Sequence, residues 1–171
     1  MKNITRRTLL LQGAGAGLLA ATAPAWALEK PTGPVVLTLT GKLRAPNEGA
    51  LANFDMPMLE RLPQTSFTTR TPWYSQPRKF TGPLLRDVLS AAGANGSLLR
   101  AVALNDYWVE LPVDDAAQFD VIIARLLDDK PMAVRDKGPL FVIYPFDSRP
   151  DLRNPIHYGR SAWQLRTIEV R

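Results

Sequence analysis

The chain has 171 residues, 46% hydrophobic and 22% charged, which is enough apolar material for one domain with its own core and too little length for two. It holds no cysteine and one histidine, His157, so disulfides, thiolate nucleophiles, iron–sulfur clusters, sulfur-ligated zinc or molybdenum and a histidine-built zinc cage are excluded. The formal net charge is +5, and 15 prolines with 11 glycines predict short elements and many turns, an α+β domain with a β-rich core rather than a helical bundle.

Residues 1–27 read as an export signal. Lys2, Arg6 and Arg7 precede an apolar run from Leu9 to Ala21, and Ala25-Trp26-Ala27 has the small-x-small form of a cleavage site, placing the cut near Ala27 and the mature domain at residues 28–171. The run is shorter than the roughly 20 residues a membrane span needs. Thr5-Arg6-Arg7-Thr8-Leu9-Leu10 resembles a twin-arginine signal, the address of proteins exported already folded, so the expected location is the periplasm. Removing the signal's three basic residues takes 21 basic residues to 18 against 16 acidic, net +2, which gives no case for nucleic-acid binding.

In the mature chain, Val35–Gly41 reads as a strand, Asn47–Ala50 as a turn, and Asp55–Leu62 as a short helix capped by Asp55 and ended by Pro63. Ser66–Thr71 is β-branched and reads as a strand leading through Pro72 to Trp73 and Tyr74 in an extended or loop conformation, with the residues between Trp73 and Phe80 a short polar linker. The best-marked helix has Pro83 at its first turn, apolar residues at 84, 85, 88, 89 and 92, and Gly93 as its stop. Leu98–Leu104 and Tyr107–Leu111 predict a hairpin turning at Asn105-Asp106. Asp114 and Asp115 read as caps of one helical turn, Val121–Leu127 as one strand, and Asp128-Asp129-Lys130 as a turn. Arg135–Pro139 is a polar loop before a buried strand, Leu140–Tyr144. Residues 145–160 read as irregular, and Trp163–Val170 as a last strand whose change of alternation calls for a bulge.

The order and spacing of Thr71-Pro72-Trp73, Phe80-Thr81-Gly82, Asn105-Asp106-Tyr107, Leu111-Pro112, Gly138-Pro139-Leu140, Tyr144-Pro145 and the ending from Trp163 to Val170 resemble sulfite-oxidase-type molybdopterin-binding domains. The resemblance covers nearly the whole mature chain. It implies a mixed, β-rich α+β domain that binds a molybdenum-bearing pterin, with a cysteine completing the metal's sulfur shell. The position matching that cysteine, four before Trp73, is Thr69, and the family's arginine after Gly-Pro-Leu is here Phe141. A threonine hydroxyl is a hard donor that stays protonated where a thiol would ionise, so it cannot replace the soft ligand. The chain is similar in this to an exported, cysteine-less branch of the family. That likeness implies a non-catalytic domain that binds a pterin, metal-free rather than molybdenum-bound, and reports it to an inner-membrane signalling protein with a periplasmic domain that makes or degrades cyclic di-GMP. The alternative is a subunit of a molybdenum-cofactor oxidoreductase, which the twin-arginine-like signal favours.

The candidate ligand-binding residues follow. Trp73 and Tyr107 can stack on a flat heteroaromatic or serve as core. Asn105 and Asp106 can read an aminopyrimidinone edge, or make the hairpin turn, or both. Arg135 and Lys137, with Asp136 between them, can meet a phosphate or the oxygens of a ligand tail, or form a solvated charged turn. Arg70, beside Thr69, and Arg160, before the last strand, are further cations near the expected pocket mouth. Trp163 reads as core and His157 as a surface or capping residue, with no Ser-His-Asp pattern around it.

Overall fold

The computed structural model describes residues 28–171, and the export-signal expectation for residues 1–27 lies outside the described residues. β1 (Val35–Gly41) occupies its expected span and buries Leu37 and Leu39 on one face. β2 (Ala52–Asp55) runs antiparallel to it and passes directly into α1 (Met56–Arg61). Asp55 is the expected cap: Met58 N–H donates to its Oδ1 at 2.9 Å, and the N–H groups of Thr32 and Gly33 donate to its Oδ2 at 2.8 and 2.9 Å. The bond from Met58, and then those from Gly33 and Thr32, hold its carboxyl below the usual carboxylate range.

The segment after Trp73 corrects the sequence reading. Residues 74–79, expected as a polar linker, belong to β4 (Tyr74–Pro83), which forms a long hairpin with β3 (Gln64–Thr71), pairing Thr68 with Lys79 and Thr69 with Arg78. Residues 75–77 are exposed and Tyr74, Arg78 and Lys79 are half-buried and paired with β3, so polarity here marks a partly exposed strand and not a loop. Pro83 likewise ends β4 instead of opening the helix, and α2 (Leu85–Ala91) starts after Leu84, burying Leu85, Val88 and Leu89 as the apolar stripe predicts. Gly93 ends it at φ 61°.

β5 (Leu98–Ala103) and β6 (Trp108–Pro112) form the expected hairpin, with Asp106 in the turn at φ 64°. α3 (Val113–Gln118) carries Asp114 and Asp115 in its first turn, but neither side chain caps it, which overturns the cap reading; Asp115 is buried and paired internally. The single strand expected over Val121–Leu127 is two, β7 (Ile122–Ala124) and β8 (Leu126–Leu127), separated by Arg125 and assigned to different sheets. β9 (Lys130–Pro131) pairs with β8 across Asp128 and Asp129, both at positive φ, a tight hairpin turn.

A 3-10 turn, Val134–Asp136, precedes β10 (Phe141–Ile143), whose residues are wholly buried. The stretch expected to be irregular contains a 3-10 turn, Pro150–Leu152, and α4 (Pro155–Arg160). Asn154 caps α4, its Oδ1 accepting from Ile156 N–H at 3.0 Å and His157 N–H at 3.1 Å, and Pro155 occupies the first turn. β11 (Ala162–Trp163) and β12 (Leu165–Val170) flank Gln164 at φ 52°, and the register of β12 against β5 shifts between Leu165 and Thr167, the expected irregularity.

These strands form a five-stranded sheet, β2-β1-β12-β5-β6, in which β1 and β12 are parallel, with a three-stranded sheet, β11-β10-β7, and a four-stranded sheet, β3-β4-β8-β9. One continuous core joins them. Phe80 of β4 meets Phe141 of β10 edge-on at 5.9 Å, and each such ring stabilises by roughly 1.5–3 kcal/mol through burial. The β4–β7 approach is close enough that a Cβ at Gly82 would strike the Ile123 carbonyl, so glycine is required there. The fold is a β-rich α+β domain.

Candidate functional site

Pro72 and Trp73 form the two-residue tip between β3 and β4, where Thr71 faces Tyr74 across the ladder. The tip folds back onto the body: the Trp73 indole lies 5.5 Å from Phe141 and 5.5 Å from Trp163, and Tyr158 stands edge-on to it at 6.2 Å. Trp73 borders two depressions. An aromatic groove of about 440 Å³ is lined by Trp73, Tyr107, Tyr158 and Trp163, with Pro72 and Pro155 at its edges. A basic cleft of about 450 Å³ is lined by Trp73, Tyr74, Arg78, Lys130, Arg135 and Lys137, with Asp136 as its one acid. The Lys137 ammonium lies 4.7 Å from the Trp163 ring, a cation–π contact that links the two hollows.

The expected site residues are thus divided. Trp73 and Tyr107 meet in the aromatic groove, with Tyr107 56% exposed, while Arg135 and Lys137 lie in the basic cleft. Asn105, Asp106, Arg70 and Arg160 line neither. Asn105 Oδ1 accepts from Tyr107 N–H at 3.2 Å, which is the turn role, and Asp106 accepts from Arg166 at 2.9 Å on the surface. Arg70 is exposed and approaches Asp147 at 3.7 Å, while Arg153 holds the same carboxylate at 2.6 Å. Thr69 is buried, and its Oγ1 accepts the Asp147 N–H at 3.0 Å, tying β3 to the loop after β10. That hydroxyl is occupied by the backbone and is no thiolate, so this position does not supply the sulfur ligand that the resemblance implies.

Arg160 is committed inward. Its Nη1 donates to Asp115 Oδ2 at 2.8 Å, and the Tyr144 hydroxyl donates to the same oxygen at 2.7 Å, locking α4 to α3 and β10. Burial, with Asp115 alongside, pushes the Tyr144 phenol far above its usual range, so it stays a donor. His157 is half-buried: its ring is edge-on to Phe119 at 5.7 Å and to Tyr144 at 5.5 Å, with Nδ1 2.9 Å from Nδ2 of Asn154, the residue that caps α4. Burial lowers its pKa.

The sequence reading missed Tyr158 and took Trp163 for core, although Trp163 is only half-buried. The signal for Tyr158 was present: Asn154-Pro155 is a helix start, and a helix there places Tyr158 one turn on, beside Pro155. Tyr74, Arg78 and Lys130 carried no local signal, since they come together only through the β4–β8–β9 pairing. Among the described residues there is no group of three His, Asp or Glu side chains placed to hold a metal, and no helix long and apolar enough to cross a membrane. No protein-family model matches the chain, and no curated protein matches it.

Proposed function

We propose that the chain is a ligand-binding, non-catalytic domain that holds a pterin in the aromatic groove and, exported to the periplasm, passes its occupancy to an inner-membrane protein that makes or degrades cyclic di-GMP. The observation that carries the reading is the convergence of Trp73, Tyr107, Tyr158 and Trp163, from four separate segments, on one groove of about 440 Å³. A pterin is a flat heteroaromatic, and each stacked face contributes roughly 1–3 kcal/mol. The volume lies within the ordinary range for small-ligand sites. The ring is recognised without a metal because the chain has no cysteine to complete a sulfur shell and its Thr69 hydroxyl is spent on the backbone. Occupancy would be felt by α4, which supplies Pro155 and Tyr158 and is tied by Arg160 to Asp115.

The test is an anaerobic titration of the purified protein with a reduced pterin, followed by quenching of its tryptophan fluorescence. Saturable quenching is expected, and Tyr107→Ala, whose exposed ring the fold does not need, weakens binding by about tenfold for a single lost stacking face. Trp73→Ala weakens it at least as much. Unchanged affinity in both variants would remove the groove assignment, and stoichiometric molybdenum in protein taken from its native compartment would replace the reading with the oxidoreductase alternative.

A further inference from the structure

The outer edge of β3 is open, and the pairing of the hairpin fixes which of its backbone groups are free. Lys79 and Thr81 of β4 turn their carbonyls toward the β8 side, accepting from Asp128 N–H at 2.8 Å and from Arg125 N–H at 2.9 Å. Their partners in the hairpin, Thr68 and Ser66, therefore sit in non-hydrogen-bonded pairs, and their own N–H and C=O groups point out from the sheet edge. Arg70 N–H, two residues on from Thr68, is met outside the sheet by Asp147 Oδ2 at 3.1 Å. Among the described residues, nothing meets the outward backbone groups of Ser66 or Thr68. Other outer strands are closed. On β2 the Asn47 side chain takes both backbone groups of Asn53, at 2.8 Å each; β9 is two residues ending in proline; and α4 packs beside β6. β3 runs eight residues, rich in threonine, with neither lysine nor proline to blunt it.

We propose that β3 pairs antiparallel with β3 of a second copy of this chain, about a two-fold axis at Phe67, joining two four-stranded sheets into one. In that register Ser66 lies opposite Thr68 of the other copy and each exchanges both backbone bonds with it, so the open groups of the two edges satisfy one another. A step toward Arg70 would instead meet an N–H already given to Asp147. The two Phe67 rings, each half-buried and 6.4 Å from Phe80, come together across the axis and cover their remaining apolar surface. The next outward residues put Arg70 opposite Gln64. Arg125 ties Gln64 to Glu60, at 2.9 and 3.0 Å, so each end of the ladder sets an exposed guanidinium beside a partly exposed carboxylate. A parallel pairing in register would set Arg70 beside Arg70. The edge is thus complementary to itself under the two-fold, in backbone groups, in apolar surface and in charge.

Sedimentation of the purified protein over concentrations from about 10 µM to about 1 mM tests this, and a monomer–dimer equilibrium with Kd below about 0.5 mM is expected. Thr68→Pro deletes an outward N–H and no ladder bond to β4, so its thermal melt stays close to the parent's while dimerisation weakens at least roughly tenfold. A second comparison does not depend on that variant folding. Ser66→Lys with Thr68→Lys sets like charges opposite each other across the axis and abolishes the dimer, whereas Ser66→Glu with Thr68→Lys sets opposite charges there and restores it. A protein that stays monomeric up to about 1 mM overturns the self-pairing and leaves the edge to a strand of another protein. A dimer of unchanged affinity in all three variants lies on another surface and overturns it as well.

Discussion

Replacing Tyr144 with phenylalanine deletes one oxygen from the core without changing its shape, and tests whether the Tyr144–Asp115–Arg160 network locks α4 in place. Tyr144 is wholly buried, and its hydroxyl sits 2.7 Å from Asp115 Oδ2, which also accepts from Arg160 at 2.8 Å. A hydrogen bond to a charged acceptor contributes about 1.5–3 kcal/mol, which for a domain of this length lowers the melting temperature by roughly 5–10 °C. Asp115→Ala costs more, about 3–5 kcal/mol, because it leaves a buried hydroxyl and a mostly buried guanidinium without their partner. The double variant costs less than the sum of the two, since both remove the same bond. Thermal melts by circular dichroism with a denaturant series provide the measurement. A Tyr144→Phe protein within about 0.5 kcal/mol of the parent would refute the network as a lock. The same melts judge Arg160: Arg160→Met lowers stability if the residue is a lock, whereas a ligand contact would lower pterin affinity with the melt unchanged.

Two further outcomes are expected. Thr69→Val removes the acceptor of the Asp147 N–H and costs about 1–3 kcal/mol by denaturant titration, so a neutral result would mean that the threonine is not structural. Stability falls as pH drops below about 6.5, because burial depresses the folded-state pKa of His157 and the unfolded chain takes up the proton first. His157→Gln flattens that part of the pH profile, and an identical slope in the variant would assign the acid sensitivity elsewhere.

The features legible in the chain were those written in local periodicity and capping chemistry. The alternation in Val35–Gly41, the Asp55 cap, the apolar stripe of α2 and the β5–β6 hairpin are all where the residues place them. The absence of cysteine and the room for only one core likewise needed no coordinates. Folding alone decided that residues 74–79 are strand, because an exposed edge hairpin and a loop share the same polar composition and differ only in whether a partner satisfies the backbone. It decided too that Arg125 divides one apolar run between two sheets, that Arg160 and Asp115 face each other across 45 residues, and that Trp73 lies between a groove and a cleft. Short-range pattern encodes which face of an element is buried. It carries no information on which distant faces meet, and both candidate sites are made of such meetings.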